Sequence, residues 1–137
     1  MAQQGLAREG LVSVPSKFAA FETTDRLLAA LAKRGMAVFA RVDHAAGAAN
    51  AGLSLRPTEV IVFGNPKGGT ALMQDRQTAG IDLPLKTLVW EAADGKVWLS
   101  YNDPHWIVQR HGLGAASAGP VEAMADALRA IAAEAAG

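Results

Sequence analysis

An aspartate and a histidine stand side by side where an alternating apolar segment ends, at Asp43 and His44. A carboxylate beside an imidazole suits a general base with its orienting group, or two metal ligands. Adjacent side chains on a strand point to opposite faces, so the two can act together only if the strand ends at Asp43. The alternative, which the sequence favours, is that one of them caps the alanine-rich turn that follows.

A glycine-rich segment, GNPKGGT over residues 64–70, is the second candidate, because it follows an apolar strand and precedes a helix. A loop at such a junction exposes backbone N–H groups, which favours a small anionic ligand. The residues predicted to bind it are Asn65, Lys67, Gly68, Gly69 and Thr70. Thr70 stands where the phosphate-loop motif needs lysine, so a nucleoside triphosphatase is not indicated. In the alternative interpretation the glycines only permit a tight turn and Thr70 only caps the helix.

The remaining chemical candidates lie in the last third of the chain. Tyr101 closes a predicted strand and is a possible proton donor, although a core tyrosine with one hydrogen bond is the commoner case. His105 and His111 are six residues apart on one predicted helix, about 240° around its axis, so they cannot form a two-histidine metal site. His111 at the C-terminal end of that helix suits a role in stabilising the helix dipole.

The composition excludes several classes of protein. Thirteen Lys and Arg balance 13 Asp and Glu among 137 residues, which weighs against nucleic-acid and anionic-membrane partners because both require a basic excess. The absence of cysteine rules out disulfides, thiolate zinc sites, cysteine-ligated iron–sulfur clusters and a cysteine nucleophile. No apolar segment is typical of a signal peptide or a membrane span, so a cytoplasmic location is expected. No pattern indicates a metal or a cofactor.

The elements that would position these residues follow from periodicity and from turn residues. Strands are expected over 11–14, 36–43 and 59–63, with the last covered on both faces, and helices over 22–34, 70–79, 103–111 and 119–136. Thr23 or Thr24 is expected to cap the first helix, with Gly35 ending it. Asp94 and Gly95 predict a hairpin with a two-residue loop, which sets Trp90 opposite Leu99, Leu88 opposite Tyr101, and Trp98 on a mixed face.

These elements predict a single α+β domain over residues 1–137. The expected architecture is of β-α-β(4)-α type, a mostly antiparallel sheet with helices packed mainly on one face. The last helix, over 119–136, is amphipathic.

Four segments in this order resemble one family: FARVDHAAGAANAGL, FGNPKGGTALM, IDLPLKTLVWE and VWLSYNDPHWIVQRHGL. Their spacing is similar to that of the bacterial and archaeal domain of unknown function 302 family, over residues 12–113. The resemblance implies a TATA-binding-protein-like fold and no established activity. A fold shared with a DNA-binding protein is no argument for DNA binding.

Three functions remain open from the sequence. The first is a small-molecule- or anion-binding regulatory domain, expected to be a homodimer, with its ligand at residues 64–70. The second is a small enzyme, whose candidate groups are Asp43, His44, His111, Tyr101 and Lys67. The third is a dimeric protein-interaction module that uses an exposed Trp98 on the mixed sheet face.

Overall fold

Short connections between apolar strands make neighbouring strands run antiparallel, and five strands here form one such sheet. The computed structural model describes residues 9–137, so the N-terminal segment in which no signal peptide is expected lies largely outside it. The strands are β1 (Leu11–Ser16), β2 (Ala37–Asp43), β3 (Thr58–Gly64), β4 (Leu85–Glu91) and β5 (Val97–Asn102), in the spatial order β1-β5-β4-β3-β2. The predicted α+β class and antiparallel sheet are confirmed.

Five α-helices and two 3₁₀ turns connect the strands. The helices are α1 (Ala20–Lys33), α2 (His44–Asn50), α3 (Pro66–Asp75), α4 (Pro104–His111) and α5 (Ala118–Ala136). The 3₁₀ turns span Gln77–Asp82 and Ala115–Ser117. Strand β1 continues past Pro15, where the sequence predicts its end, because an edge strand tolerates a residue without an N–H group.

The hydrophobic core lies between one face of the sheet and the two long helices α1 and α5. The helices contribute Leu27, Leu31, Leu128 and Ile131, and the sheet contributes Ile61, Phe63, Val89 and Leu99. The expectation that β3 is covered on both faces is wrong, because Val60 and Val62 on its other face are only half-buried. Residues 37–57, which form β2, α2 and the following loop, contain no buried residue.

The β4–β5 hairpin has a register one residue away from the predicted one. The N–H of Gly95 donates to the carbonyl of Ala92, and the N–H of Ala92 donates to the carbonyl of Lys96. With Gly95 at φ 86°, this is a three-residue loop with a left-handed glycine in place of a two-residue turn.

The shifted register changes which aromatic side chains meet. Trp90 therefore lies opposite Trp98, on the face without α1 and α5, with ring centroids 6.3 Å apart. Trp98 is only 4% exposed, so the prediction of an exposed aromatic at this position is wrong.

Several helix ends carry residues that commonly cap or terminate helices. Gly35 and Gly112 have φ of 66° and 64° and follow α1 and α4, as glycines after helices commonly do. Asp103 caps α4 by accepting a hydrogen bond from the N–H of His105 at 2.9 Å. The predicted cap of α1 by Thr23 or Thr24 is wrong, because α1 begins earlier and both threonines are buried within it.

An aspartate links the end of α3 to the turn that leads into α5. One carboxylate oxygen of Asp75 accepts hydrogen bonds from the N–H of Gly114 at 2.8 Å and from the hydroxyl of Ser117 at 2.7 Å. These two hydrogen bonds lower the pKa of Asp75, and the one from the hydroxyl of Ser117 has the larger effect. The ionised carboxylate therefore fixes α3 relative to the start of α5.

Replacing Leu128 with alanine should lower the free energy of unfolding by about 2–5 kcal/mol, because it leaves a cavity between α5 and the sheet. Urea unfolding followed by circular dichroism measures the change. Leu53→Ala is the matched control, because Leu53 is 67% exposed and should shift the midpoint little. Equal effects of the two substitutions would contradict the core described here.

Asp75→Ala should lower the melting temperature at neutral pH, and the difference from the unmodified protein should shrink in acid. A carboxyl whose folded-state pKa is depressed stabilises the fold above its unfolded pKa, and this contribution is lost as the pH falls through the folded value. Thermal unfolding at a series of pH values between neutrality and strong acid checks this. Asp126→Ala, which removes an exposed carboxylate from α5, is the control; a pH-independent effect of Asp75→Ala would contradict the role of its charge.

Candidate functional site

A cavity of about 380 Å³ lies where the end of β3 and the first turns of α3 face the N-terminal half of α5. The segment just before β4 and the residues around the start of β2 complete its wall. The volume is within the range typical of pockets that hold small ligands.

Four of the five residues predicted to bind a ligand line this cavity: Asn65, Gly68, Gly69 and Thr70. Lys67 is exposed and is not part of the lining. The segment therefore does face a cavity, but without its cation.

The predicted glycine-rich loop is wrong, because α3 already begins at Pro66. The cap is Asn65 and not Thr70: the side-chain oxygen of Asn65 accepts a hydrogen bond from the N–H of Lys67 at 3.0 Å. The carbonyl of Asn65 accepts from the N–H groups of Gly68 and Gly69, at 3.1 and 3.3 Å. The amides on which the predicted anion site depends are thus bonded within the chain.

The wall of the cavity is almost entirely apolar. Met36, Phe39, Met73, Leu83 and Met124 supply much of it, and no charged side chain of residues 9–137 is part of it. Within this described range, the polar side chains that line it belong to Asn65 and Thr70. An anion or a hard cation transferred into such a space loses hydration without gaining the partners it prefers, so the wall suits an uncharged apolar molecule.

Two glycines in the first turns of α3 keep part of this space open. A Cβ atom at Gly69 would lie 3.8 Å from Leu83 Cδ1 and 3.9 Å from Met73 Cε, so it would occupy cavity volume without a clash. A Cβ atom at Gly68 would lie 3.2 Å from Met124 Cε, the end of a flexible side chain. Glycine inside a helix costs about 0.5–1 kcal/mol relative to alanine, so these positions sacrifice stability for space.

The candidate catalytic residues do not line this cavity. Asp43 caps α2 by accepting a hydrogen bond from the N–H of Ala46 at 2.9 Å, which confirms the structural interpretation of the Asp43–His44 pair. His44 is an exposed first residue of the same helix. Tyr101 is buried on the core face of the sheet, and this burial raises its pKa. A catalytic role for these residues and for Lys67 stays a prediction.

His111 pairs with an aspartate that the sequence does not single out. Its Nε2 atom lies 2.6 Å from a carboxylate oxygen of Asp82, and its Nδ1 atom lies 3.0 Å from the hydroxyl oxygen of Thr78. Arg110 donates to both oxygens of Asp82, at 2.9 and 3.1 Å. These bonds hold the 3₁₀ turn that precedes Leu83 in the cavity wall.

Two further side chains hold the elements around the cavity. Lys86 donates to the carbonyl oxygens of Pro84 at 2.8 Å and Asp82 at 3.3 Å, and burial lowers the pKa of its amine. His105, at the start of α4, bonds Glu122 of α5, and the carboxylates of Glu122 and Asp103 raise its pKa.

Sequence reasoning missed Asp82 and the apolar cavity wall. Asp82 and His111 are 29 positions apart, and no local pattern connects them. Met73 and Met124 lie at apolar positions of their helices, and nothing local distinguishes a cavity wall from a core. Within residues 9–137, no three His, Cys, Asp or Glu side chains come close enough together to hold a metal ion.

Known proteins similar to this chain fall into two groups. The fluoride-specific ion channel FluC 1 of Brucella suis biovar 1 (strain 1330) is 55% identical over 115 residues, which are 84% of this chain and 45% of that protein. The same identity and share of this chain are found for FluC 1 of Brucella abortus biovar 1 (strain 9-941), of which 43% is covered. The chain thus spans less than half the length of these curated relatives. No helix in the described part of the chain is long and apolar enough to cross a membrane.

The second group is represented here by one solved structure that carries the name of a family. The crystal structure of an uncharacterized conserved protein DUF302 from Bacillus stearothermophilus superimposes with a TM-score of 0.82. The superposition covers 93% of this chain and 99% of the chain in that structure, at 19% sequence identity, which shows a shared fold. The family profile described as "Domain of unknown function DUF302" matches residues 12–134, which extend through most of α5. On this match and this fold, the chain belongs to the DUF302 family.

Proposed function

We propose that this chain is a small-molecule-binding domain whose ligand occupies the cavity between α3 and α5 and is uncharged and largely apolar. The observation that carries the proposal is the pair of glycines, Gly68 and Gly69, in the wall of an apolar cavity. Alanine is the best helix former and is abundant elsewhere in this chain, so glycine at both positions needs a reason other than helix formation.

An anionic ligand, which the sequence favours, fits this site less well. The first amides of α3 already bond Asn65, and Lys67 points away from the lining. A polar group of the ligand still has partners at the rim, where Asn65 and Thr70 present their side chains. The ligand we propose therefore has an apolar body and at most one or two neutral hydrogen-bonding groups.

Binding in this cavity would bridge elements that otherwise meet through few polar contacts. A ligand seated there contacts α3, α5 and the segment before β4 at once. Because the ligand binds only the folded state, it raises the free energy of unfolding. At ligand concentrations above the dissociation constant, this increase grows with the logarithm of the ligand concentration. Such a domain responds to its ligand through its stability, which suits a regulatory role.

The neutral fluorophore N-phenyl-1-naphthylamine should bind and fluoresce, whereas its sulfonated analogue 8-anilino-1-naphthalenesulfonate should bind at least tenfold more weakly. Gly69→Ala should weaken binding of the neutral probe several-fold while raising the free energy of unfolding by about 0.5–1 kcal/mol. Opposite signs for binding and stability separate a filled cavity from a damaged fold. Fluorescence titration and thermal unfolding measure the two quantities.

The control for this experiment is Gly47→Ala in α2. A Cβ atom there meets nothing within 4 Å, so the substitution should stabilise the helix without affecting the probe. Preferential binding of the sulfonated probe would support the anionic ligand instead. If Gly69→Ala left the affinity for the neutral probe unchanged, the cavity would not be the binding site.

The identity with FluC proteins supports a second proposal, that the domain acts as an accessory part of a fluoride channel. An ion channel must cross the membrane, and no helix among residues 9–137 can do so. The ion pathway would then belong to the remaining half of those relatives, with the DUF302 segment adjusting its activity. Fluoride itself is a hard anion and finds no free donor set in the apolar cavity.

Without the matched 115-residue segment, the Brucella suis FluC 1 protein should still conduct fluoride in proteoliposomes, but at a different rate. Efflux recorded with a fluoride electrode measures this. Adding back the isolated domain should reverse the change. A truncated protein that inserts and assembles normally but conducts no fluoride would show that the segment belongs to the pathway itself.

The homodimer predicted from the sequence remains a proposal. Its support is the edge strand β2, on which Val38, Phe39 and Val42 are 42–52% exposed. An open strand edge with apolar side chains favours pairing with a second chain.

A further inference from the structure

All three methionines of residues 9–137 line the same cavity, which apolar binding alone does not require. They come from three separate elements: Met36 just before β2, Met73 on α3 and Met124 on α5. Leucine or isoleucine would serve an apolar wall equally well, and the chain uses leucine freely in its core. What methionine adds is a thioether sulfur.

Glycines stand where the ends of these side chains approach the backbone. The sulfur of Met73 lies 3.1 Å from the place that a Cβ atom at Gly80 would take. The terminal methyl groups of Met73 and Met124 lie 3.9 and 3.2 Å from the corresponding places at Gly69 and Gly68. Two thioether side chains therefore end beside successive residues of α3, and at Gly68 the missing Cβ atom leaves room for the end of Met124.

The chemistry of this wall selects one class of metal ion. Thioethers are soft, neutral donors, and soft ligands favour Cu(I) among biological metals. The lining contains no carboxylate, imidazole or thiolate, so a divalent cation would lose its hydration shell without gaining the ligands it prefers. Phe39, which also lines the cavity, offers an aromatic face that attracts a cation.

We propose that Met36, Met73 and Met124 form a three-thioether binding site for a soft monovalent cation, Cu(I) or its analogue Ag(I). This inference rests on the proposed function in one respect, because both place a bound solute in the same cavity. The site needs no preformed charge, because a neutral donor set around a monovalent ion leaves a single positive charge in the cavity. The flexible methionine side chains can converge on an ion that is smaller than an apolar ligand.

Silver nitrate titrated into protein labelled with ¹³C at the methionine methyl groups tests the proposal directly. The absence of cysteine removes the usual competing ligand for silver. In chloride-free buffer, one equivalent of Ag(I) should shift the methyl signals of Met36, Met73 and Met124 along one common saturation curve. Zinc sulfate, the borderline divalent control, should leave the three signals in place.

Isosteric variants separate the metal site from the apolar cavity. Each of Met36→Leu, Met73→Leu and Met124→Leu should weaken silver binding, measured by calorimetry, at least tenfold. The triple variant should bind no silver at micromolar concentrations. Leucine keeps the volume and the apolar character, so all variants should fold with circular dichroism spectra and melting temperatures close to those of the unmodified chain.

Two results would overturn the inference: methionine methyl signals that do not move with silver, or a triple variant that binds silver as tightly as the unmodified chain. The second result would assign the silver to the histidines. Failure of silver alone, with the neutral probe still bound, would leave the proposed function standing. Silver binding without probe binding would overturn the proposed function and leave the metal site.

Discussion

The packing of α5 along one face of the sheet is the contact on which the rest of the molecule depends. Its C-terminal half places Leu128 and Ile131 against the sheet and α1. A helix of 19 residues is about 28 Å long, so its N-terminal half extends beyond this core. There Val121 packs in a second cluster with Leu72 of α3, and Pro120 and Met124 line the cavity between the two helices. Core and candidate site are therefore two halves of one helix surface.

Polar contacts around the cavity hold its walls without entering it. Asp75 links α3 to the start of α5, and His111 with Asp82 fixes the 3₁₀ turn before Leu83. None of these three side chains is part of the lining. The arrangement combines a rigid frame with an inner surface that is free of charge.

The sequence predicts the elements and the class of fold well, because apolar periodicity and helix-ending glycines are local signals. It fails where a local signal permits two geometries. The helix predicted over 103–111 is present, with Asp103 as its cap and Pro104 as its first residue, and Asn65–Pro66 has the same character. The glycines after Asn65 suggest a loop, yet Asn65 bonds their amides and the helix begins four residues earlier than predicted, at Pro66. The hairpin register similarly depends on whether two or three residues form its loop.

The cavity could not be predicted from the sequence for a different reason. Its wall is assembled from residues near positions 36, 65, 84 and 124, which the pairing of β2, β3 and β4 and the packing of α5 against α3 bring together. Predicting Asn65, Gly68, Gly69 and Thr70 as a binding segment located one side of it. The opposite side, and with it the apolar character of the site, depends on contacts between distant parts of the chain.

The segment from Ala37 to Pro57, which forms β2, α2 and the following loop, is the part of this fold in which the sequence can vary most freely. Since none of its residues is buried, insertions, deletions and changes of sequence there leave the hydrophobic core untouched. Only the ladder of hydrogen bonds between β2 and β3 limits them. The fold can thus accept inserted segments at this edge of the sheet while its hydrophobic core stays unchanged.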